Sequence, residues 1–117
     1  MTKILFQPCG SKIAKEHYEK TVNNCIAVTR IERHLSRPQA RDLIRAFPDG
    51  VVRAWGVTPS QEGKWERVQP GDVALFSASK NIFASGEVVF KLKSASLAEM
   101  LWGRDEKGRV WENMYFL

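Results

Sequence analysis

The sequence predicts an α/β domain of the α+β kind: a curled sheet of mixed and antiparallel strands, bent toward a partly closed barrel, with helices packed against it. Three observations predict it. The second half holds several short apolar runs separated by tight turns, and strands joined by short turns become antiparallel neighbours. Two segments carry a helix start signal, S-x-x-Q at Ser36–Gln39 and S-x-x-E at Ser96–Glu99. The elements read in the order β-α-(β)-α-β-β-β-α-β within 117 residues, the length of one domain with one core.

KILFQ, residues 3–7, reads as the first strand, closed by Pro8-Cys9-Gly10. Ser11 caps a helix over about residues 12–22, where Ile13/His17 and Ala14/Tyr18 share a side at i,i+4. Asn23-Asn24 stop it. CIAVTRI, residues 25–31, fits a strand or an irregular connection. The next helix is the best specified. Ser36 and Gln39 form a capping box, Pro38 sits in the first turn, and Ala40, Leu43, Ile44 and Phe47 make a core-facing stripe.

VVRAWGV, residues 51–57, reads as a strand that enters the polar loop TPSQEGK. Pro70-Gly71-Asp72 is a strong turn signal ahead of the strand Val73–Phe76. Ala78–Asn81 connects it to a long strand over 82–93, in which Gly86 marks a bulge or a close backbone approach. Ser96 and Glu99 box a helix that Gly103 ends, and residues 110–117 form the last strand.

Apolar residues at 44% and charged residues at 26% are ordinary for a soluble globular protein, and no stretch approaches the 18 apolar residues of a membrane span. The N-terminus lacks the apolar core of a signal peptide, which points to a cytoplasmic protein. The ending on MYFL, without a polar tail, suits one domain of a longer chain. Cys9 and Cys25 have neither metal-ligand nor C-x-x-C spacing, so no metal or cofactor is implied and both read as reduced, structural residues.

Catalytic patterns are weak. Cys9 with His17 or His34 would make a thiol nucleophile and base, but no third orienting group is evident. Glu62, Glu66, Asp72 and Glu87 show no spacing that marks an acid/base pair. PCGSK is not a phosphate-binding G-x-x-x-x-G-K loop. The chain therefore reads as a binding module rather than an enzyme. Its net charge of +5 is compatible with a polyanionic partner. Arg37, Arg41 and Arg45 at i, i+4, i+8 form a row beside the apolar stripe, with Arg30 and Arg33 just upstream. Such a row is often only a solvated helix face, yet the planar guanidinium fork also matches phosphate oxygens.

The aromatics are the better lead. Trp55, Trp102 and Trp111 lie near element ends, where a tryptophan either fills a core or walls a pocket for a flat ligand. VRAWGVTP, then PGDVALFSASKNIFASGEVVF, then a loop with Trp102, then WENMYFL, resembles the EVE and YTH families of the PUA-like superfamily. The resemblance covers about residues 51–117; the first fifty match in coarse layout, and QPCGSK departs from the YTH pattern.

The resemblance implies a PUA-like pseudo-barrel, with the whole of residues 1–117 one domain whose pocket accepts a modified base flipped from its strand. It implies Trp55 and Trp102 as cage walls, with Trp111 an alternative second wall. Phe76 and Ser77 would form the floor, Asn81 and Lys80 the rim, and Arg37, Arg41, Arg45 and Lys80 would meet phosphates. Similar domains stand at the N-terminus of modification-dependent restriction enzymes of the McrB type, beside a GTPase and a nuclease, which implies methylated DNA as partner. Two other readings stay open: an RNA-binding domain of the YTH or ASCH type acting on modified RNA, and a small Cys9-dependent hydrolase.

Overall fold

The structure, a computed structural model, describes residues 2–117. Three ladders organise it. Strand β1 (Ile4–Pro8) pairs parallel with β5 (Val73–Ala78), which pairs antiparallel with β6 (Asn81–Glu87). Strand β4 (Ala54–Val57) and β7 (Phe90–Lys93) flank β8 (Asn113–Phe116), both antiparallel. A two-residue ribbon joins β2 (Ile26–Ala27) to β3 (Val51–Val52). The first sheet is thus mixed and the second antiparallel, as the sequence predicts. Among the described residues five α-helices pack around them: α1 (Lys12–Tyr18), α2 (Val28–Ile31), α3 (Arg37–Ala46), α4 (Glu62–Glu66) and α5 (Ala95–Trp102).

The second sheet is the middle layer, and its composition says why. Every residue of β4 and β8 is buried, the mark of strands covered on both faces. Side chains alternate across a strand. Trp55, Val57 and Tyr115 join Leu5, Ala74 and Phe76 of the first sheet in one apolar cluster. Ala54, Met114 and Phe116 join Leu43 of α3 and Leu97, Ala98 and Leu101 of α5 in another. The β4–β8 sheet therefore separates a sheet-on-sheet half from a sheet-on-helix half.

Several elements differ from the sequence reading. Residues 28–34 form α2 and a 3₁₀ turn rather than a strand, so only Ile26 and Ala27 of CIAVTRI pair. The 12–22 helix passes into a π-helical turn at Glu19–Asn23. VVRAWGV is two strands belonging to different ladders, divided at Arg53. The polar loop after Thr58 holds a 3₁₀ turn and α4.

The long strand over 82–93 is likewise two strands in two sheets, and the crossing falls at Val88–Val89. Val88 is fully buried there, and its N–H bonds to Asp72 while that of Val89 bonds to Phe116. The register irregularity lies between Phe76 and Ser77, not at Gly86, which instead sits under Leu117.

Caps were read more surely. Ser36 and Gln39 make both bonds of the capping box on α3. On α5 the cap is Ser94, whose hydroxyl accepts from the Leu97 N–H, rather than Ser96; Gly103 ends the helix at φ 74° as expected.

Candidate functional site

A cavity of about 330 Å³ opens where the C-terminal end of β1 meets β4. That volume is at the small end of the range for ligand pockets. Pro8 and Ser11 line one side, Thr58, Gln61 and Lys64 another, and Trp55 and Trp111 supply the aromatic surface. The loop from β1 to α1 is fixed by the Ser11 cap on the Ala14 N–H and by Cys9, whose N–H reaches the Ser77 carbonyl at 2.7 Å.

Trp55 is 1% exposed, with its ring edge-to-face on Phe76 at 5.3 Å and on Trp111 at 5.5 Å. Trp111 is half-buried, and its other neighbour is His17, at 4.0 Å between ring centres. The planes of Trp55 and Trp111 differ by 69°, so they form a corner rather than two parallel walls. Trp111 is the more open of the two indoles. The indole N–H groups of both tryptophans are buried without a protein partner.

Trp102 sits elsewhere. It belongs to the helix-side cluster, and its indole N–H donates to the Thr21 hydroxyl at 3.1 Å. Thr21 in turn donates to the Ala54 carbonyl at 2.6 Å. Its ring stacks on His17 and presses on Gly56. A Cβ at Gly56 would lie 2.3 Å from the Trp111 carbonyl oxygen and 2.7 Å from the Trp102 ring, so only glycine fits. The pair the structure brings to the cavity is thus Trp55 and Trp111, and Trp102 backs Trp111 from the core at 6.3 Å.

The remaining sequence candidates fall outside the cavity lining. Phe76 is buried beneath Trp55. Ser77 lies at the strand irregularity, its carbonyl engaged by Cys9. Lys80 and Asn81 are exposed in the β5–β6 turn, where Ser79 and Lys80 take positive φ and the Asn81 amide donates to the Ser79 carbonyl. Arg37, Arg41 and Arg45 are exposed on α3, which anchors to the other half of the molecule through Leu43.

The structure adds residues the sequence did not single out. Gln7, 6% exposed, faces inward at the end of β1 and accepts the Tyr115 hydroxyl at 3.1 Å. Lys64 is the charged residue of the lining, with its ammonium donating to the Phe6 carbonyl at 3.0 Å. No sequence signal marks Gln7, because Tyr115 is 108 residues away. The Trp-Gly dipeptide was a usable signal for Gly56, since glycine inside a strand often marks a close approach.

Three buried titratable groups near the site stay uncharged. Burial pushes the His17 imidazole down from 6.5 to about 4, with Lys20 adding to the effect, so it is uncharged at neutral pH. Burial also raises Tyr115, keeping its hydroxyl protonated. The Cys9 thiol is buried, bonded to the Ala14 carbonyl, and raised by burial, the reverse of an activated thiolate. Among the described residues no three His, Cys, Asp or Glu side chains are placed to share a metal ion.

Fold and site define a small α+β domain with an indole-walled cavity set between its two three-stranded sheets. No family model and no curated protein matches the chain. Among solved structures it is similar to the N-terminal domain of Thermococcus gammatolerans McrB bound to m5C DNA. The TM-score is 0.74 at 18% identity, over 99% of this chain and 72% of that one. At that identity the likeness shows a shared fold. It is consistent with the PUA-like layout and with the McrB-type resemblance expected from the sequence.

Proposed function

We propose that this domain binds DNA that carries a modified base, extruding that base into the corner between Trp55 and Trp111. The observation that carries the reading is the cavity itself: about 330 Å³, walled by two indoles, and set into the fold of a domain solved with m5C DNA. The energetics are coherent. Extrusion costs a few kcal/mol, on the order of what stacking returns at roughly 1–3 kcal/mol per base, with hydrogen bonds added. A methyl group on the base adds apolar area against the indoles.

The exposed Arg37, Arg41 and Arg45, with Lys64 and Lys80, supply phosphate contacts on this reading, and the net charge of +5 favours them. The domain acts as a specificity module without chemistry of its own, serving a restriction system whose GTPase and nuclease cut. The buried, paired and raised Cys9 thiol argues against the hydrolase reading.

Fluorescence anisotropy titrations test this with matched duplexes carrying one 5-methylcytosine, one N6-methyladenine or no modification, and with the corresponding RNAs. The expected result is affinity at least about tenfold higher for one modified DNA duplex. Equal affinity for all DNA duplexes sinks the proposal, and a stronger preference for modified RNA moves the function to RNA.

A further inference from the structure

We infer that Gln7 reads the edge of the bound base as a hydrogen-bond donor, and that Tyr115 is the positioning residue that holds it in that sense. The inference rests on the reading of the cavity as a base site and names what that site recognises. Gln7 lines the cavity from the inner face of β1. A glutamine amide can present either its carbonyl or its NH₂ to a ligand, and rotation exchanges the two. In the structure the carbonyl end is the one engaged. Tyr115 of β8, 1% exposed, donates its hydroxyl to Gln7 Oε1 at 3.1 Å.

The carbonyl oxygen is thereby turned to the tyrosine. The Nε2 group, with two hydrogens, is left without a protein partner. Burial holds the tyrosine protonated, so it stays a donor throughout the working pH range.

Gln7 therefore has hydrogens to give at the cavity wall, and a donor left unpaired beneath a bound base is costly. The ligand class that satisfies it is a base whose edge carries ring-nitrogen or carbonyl acceptors. A ring of the same shape without acceptors stacks equally well and leaves the donors stranded, which is how polar sites reject analogues.

The test uses the wild-type domain with Gln7→Leu, Gln7→Glu and Tyr115→Phe. The probes are DNA duplexes that carry the modified base preferred by wild type (5-methylcytosine or N6-methyladenine), no modification, or 2,4-difluorotoluene at that position. Difluorotoluene keeps a methylated ring and lacks the acceptors. Wild type is expected to favour the modified base over difluorotoluene by about tenfold or more. In Gln7→Leu that gap closes, and in Gln7→Glu affinity for the modified base falls at least as far, because a carboxylate only accepts.

Tyr115→Phe narrows the gap several-fold and has no further effect when combined with Gln7→Leu, a coupling that a merely structural hydroxyl would not show. Gln7 variants that keep the full wild-type gap overturn the role of Gln7 while the pocket reading stands. A wild type without preference for either modified duplex overturns both.

Discussion

Gly56 shows how one residue shapes the cavity from behind. Its α-hydrogen face is where the Trp102 ring and the Trp111 carbonyl converge, at distances no side chain survives. Gly56→Ala must therefore displace Trp102 or the segment carrying Trp111. Overpacking of this kind costs roughly 1–3 kcal/mol. The expected outcome is a lowered melting temperature together with altered tryptophan fluorescence, since a tryptophan is moved either way; unchanged melting would contradict the packing described.

His17 serves the same assembly from the other side, stacked on Trp102 and edge-on to Trp111, and its depressed basicity follows from being enclosed there. Trp55 is different in kind. With Phe76 and Trp111 against its ring it is core as much as wall, so its truncation to alanine threatens about 3–5 kcal/mol of stability.

At the scale of elements, α3 was the most legible piece of the chain. Its capping box and Leu43 appear as read, because both signals are local. Ile44 is the exception: at 48% exposed it lies on the outer edge of the stripe, since α3 touches the sheet along a narrow seam centred on Leu43. The arginine row on its open face invites a direct check. Arg37, Arg41 and Arg45 changed together to Gln are expected to weaken binding of modified and unmodified duplexes alike and to reduce the slope of log affinity against log salt by up to about 2.7. An unchanged slope would remove α3 from the phosphate contacts.

Where strands were misread, the cause was non-local. Residues 82–93 look continuous because nothing in their composition shows that Val88 is fully buried where the chain leaves one sheet for another. VVRAWGV hides its break for the same reason: Arg53 lies between pairing with β2 and pairing with β8.

At the scale of the whole molecule, the site is a product of the crossing of two sheets. β1 brings Gln7 and Pro8, β4 brings Trp55 and Gly56, and the segment ahead of β8 brings Trp111. The sequence made tryptophan at strand ends conspicuous, and two of those tryptophans, Trp55 and Trp111, line the cavity. It did not show which two would meet. That depends on the placement of Trp102 against Gly56 and Thr21 on the helix side of the middle sheet. Gln7 was less visible still: in KILFQ the apolar Ile4 and Phe6 look like the buried face, yet both are exposed while Leu5 and Gln7 point inward.

The central claim is that the Trp55–Trp111 corner holds the base. Trp111 is the wall to test, being half-buried and carried on a short segment rather than within the β4–β8 ladder. The decisive measurement is the ratio of affinities for modified and unmodified DNA duplexes in wild type and in Trp111→Ala, with folding of both followed by circular dichroism. The account predicts a folded variant that binds unmodified DNA as wild type does and loses most of the preference, about tenfold or more, as expected for a lost stacking face. A folded Trp111→Ala domain that keeps the full wild-type preference would contradict it.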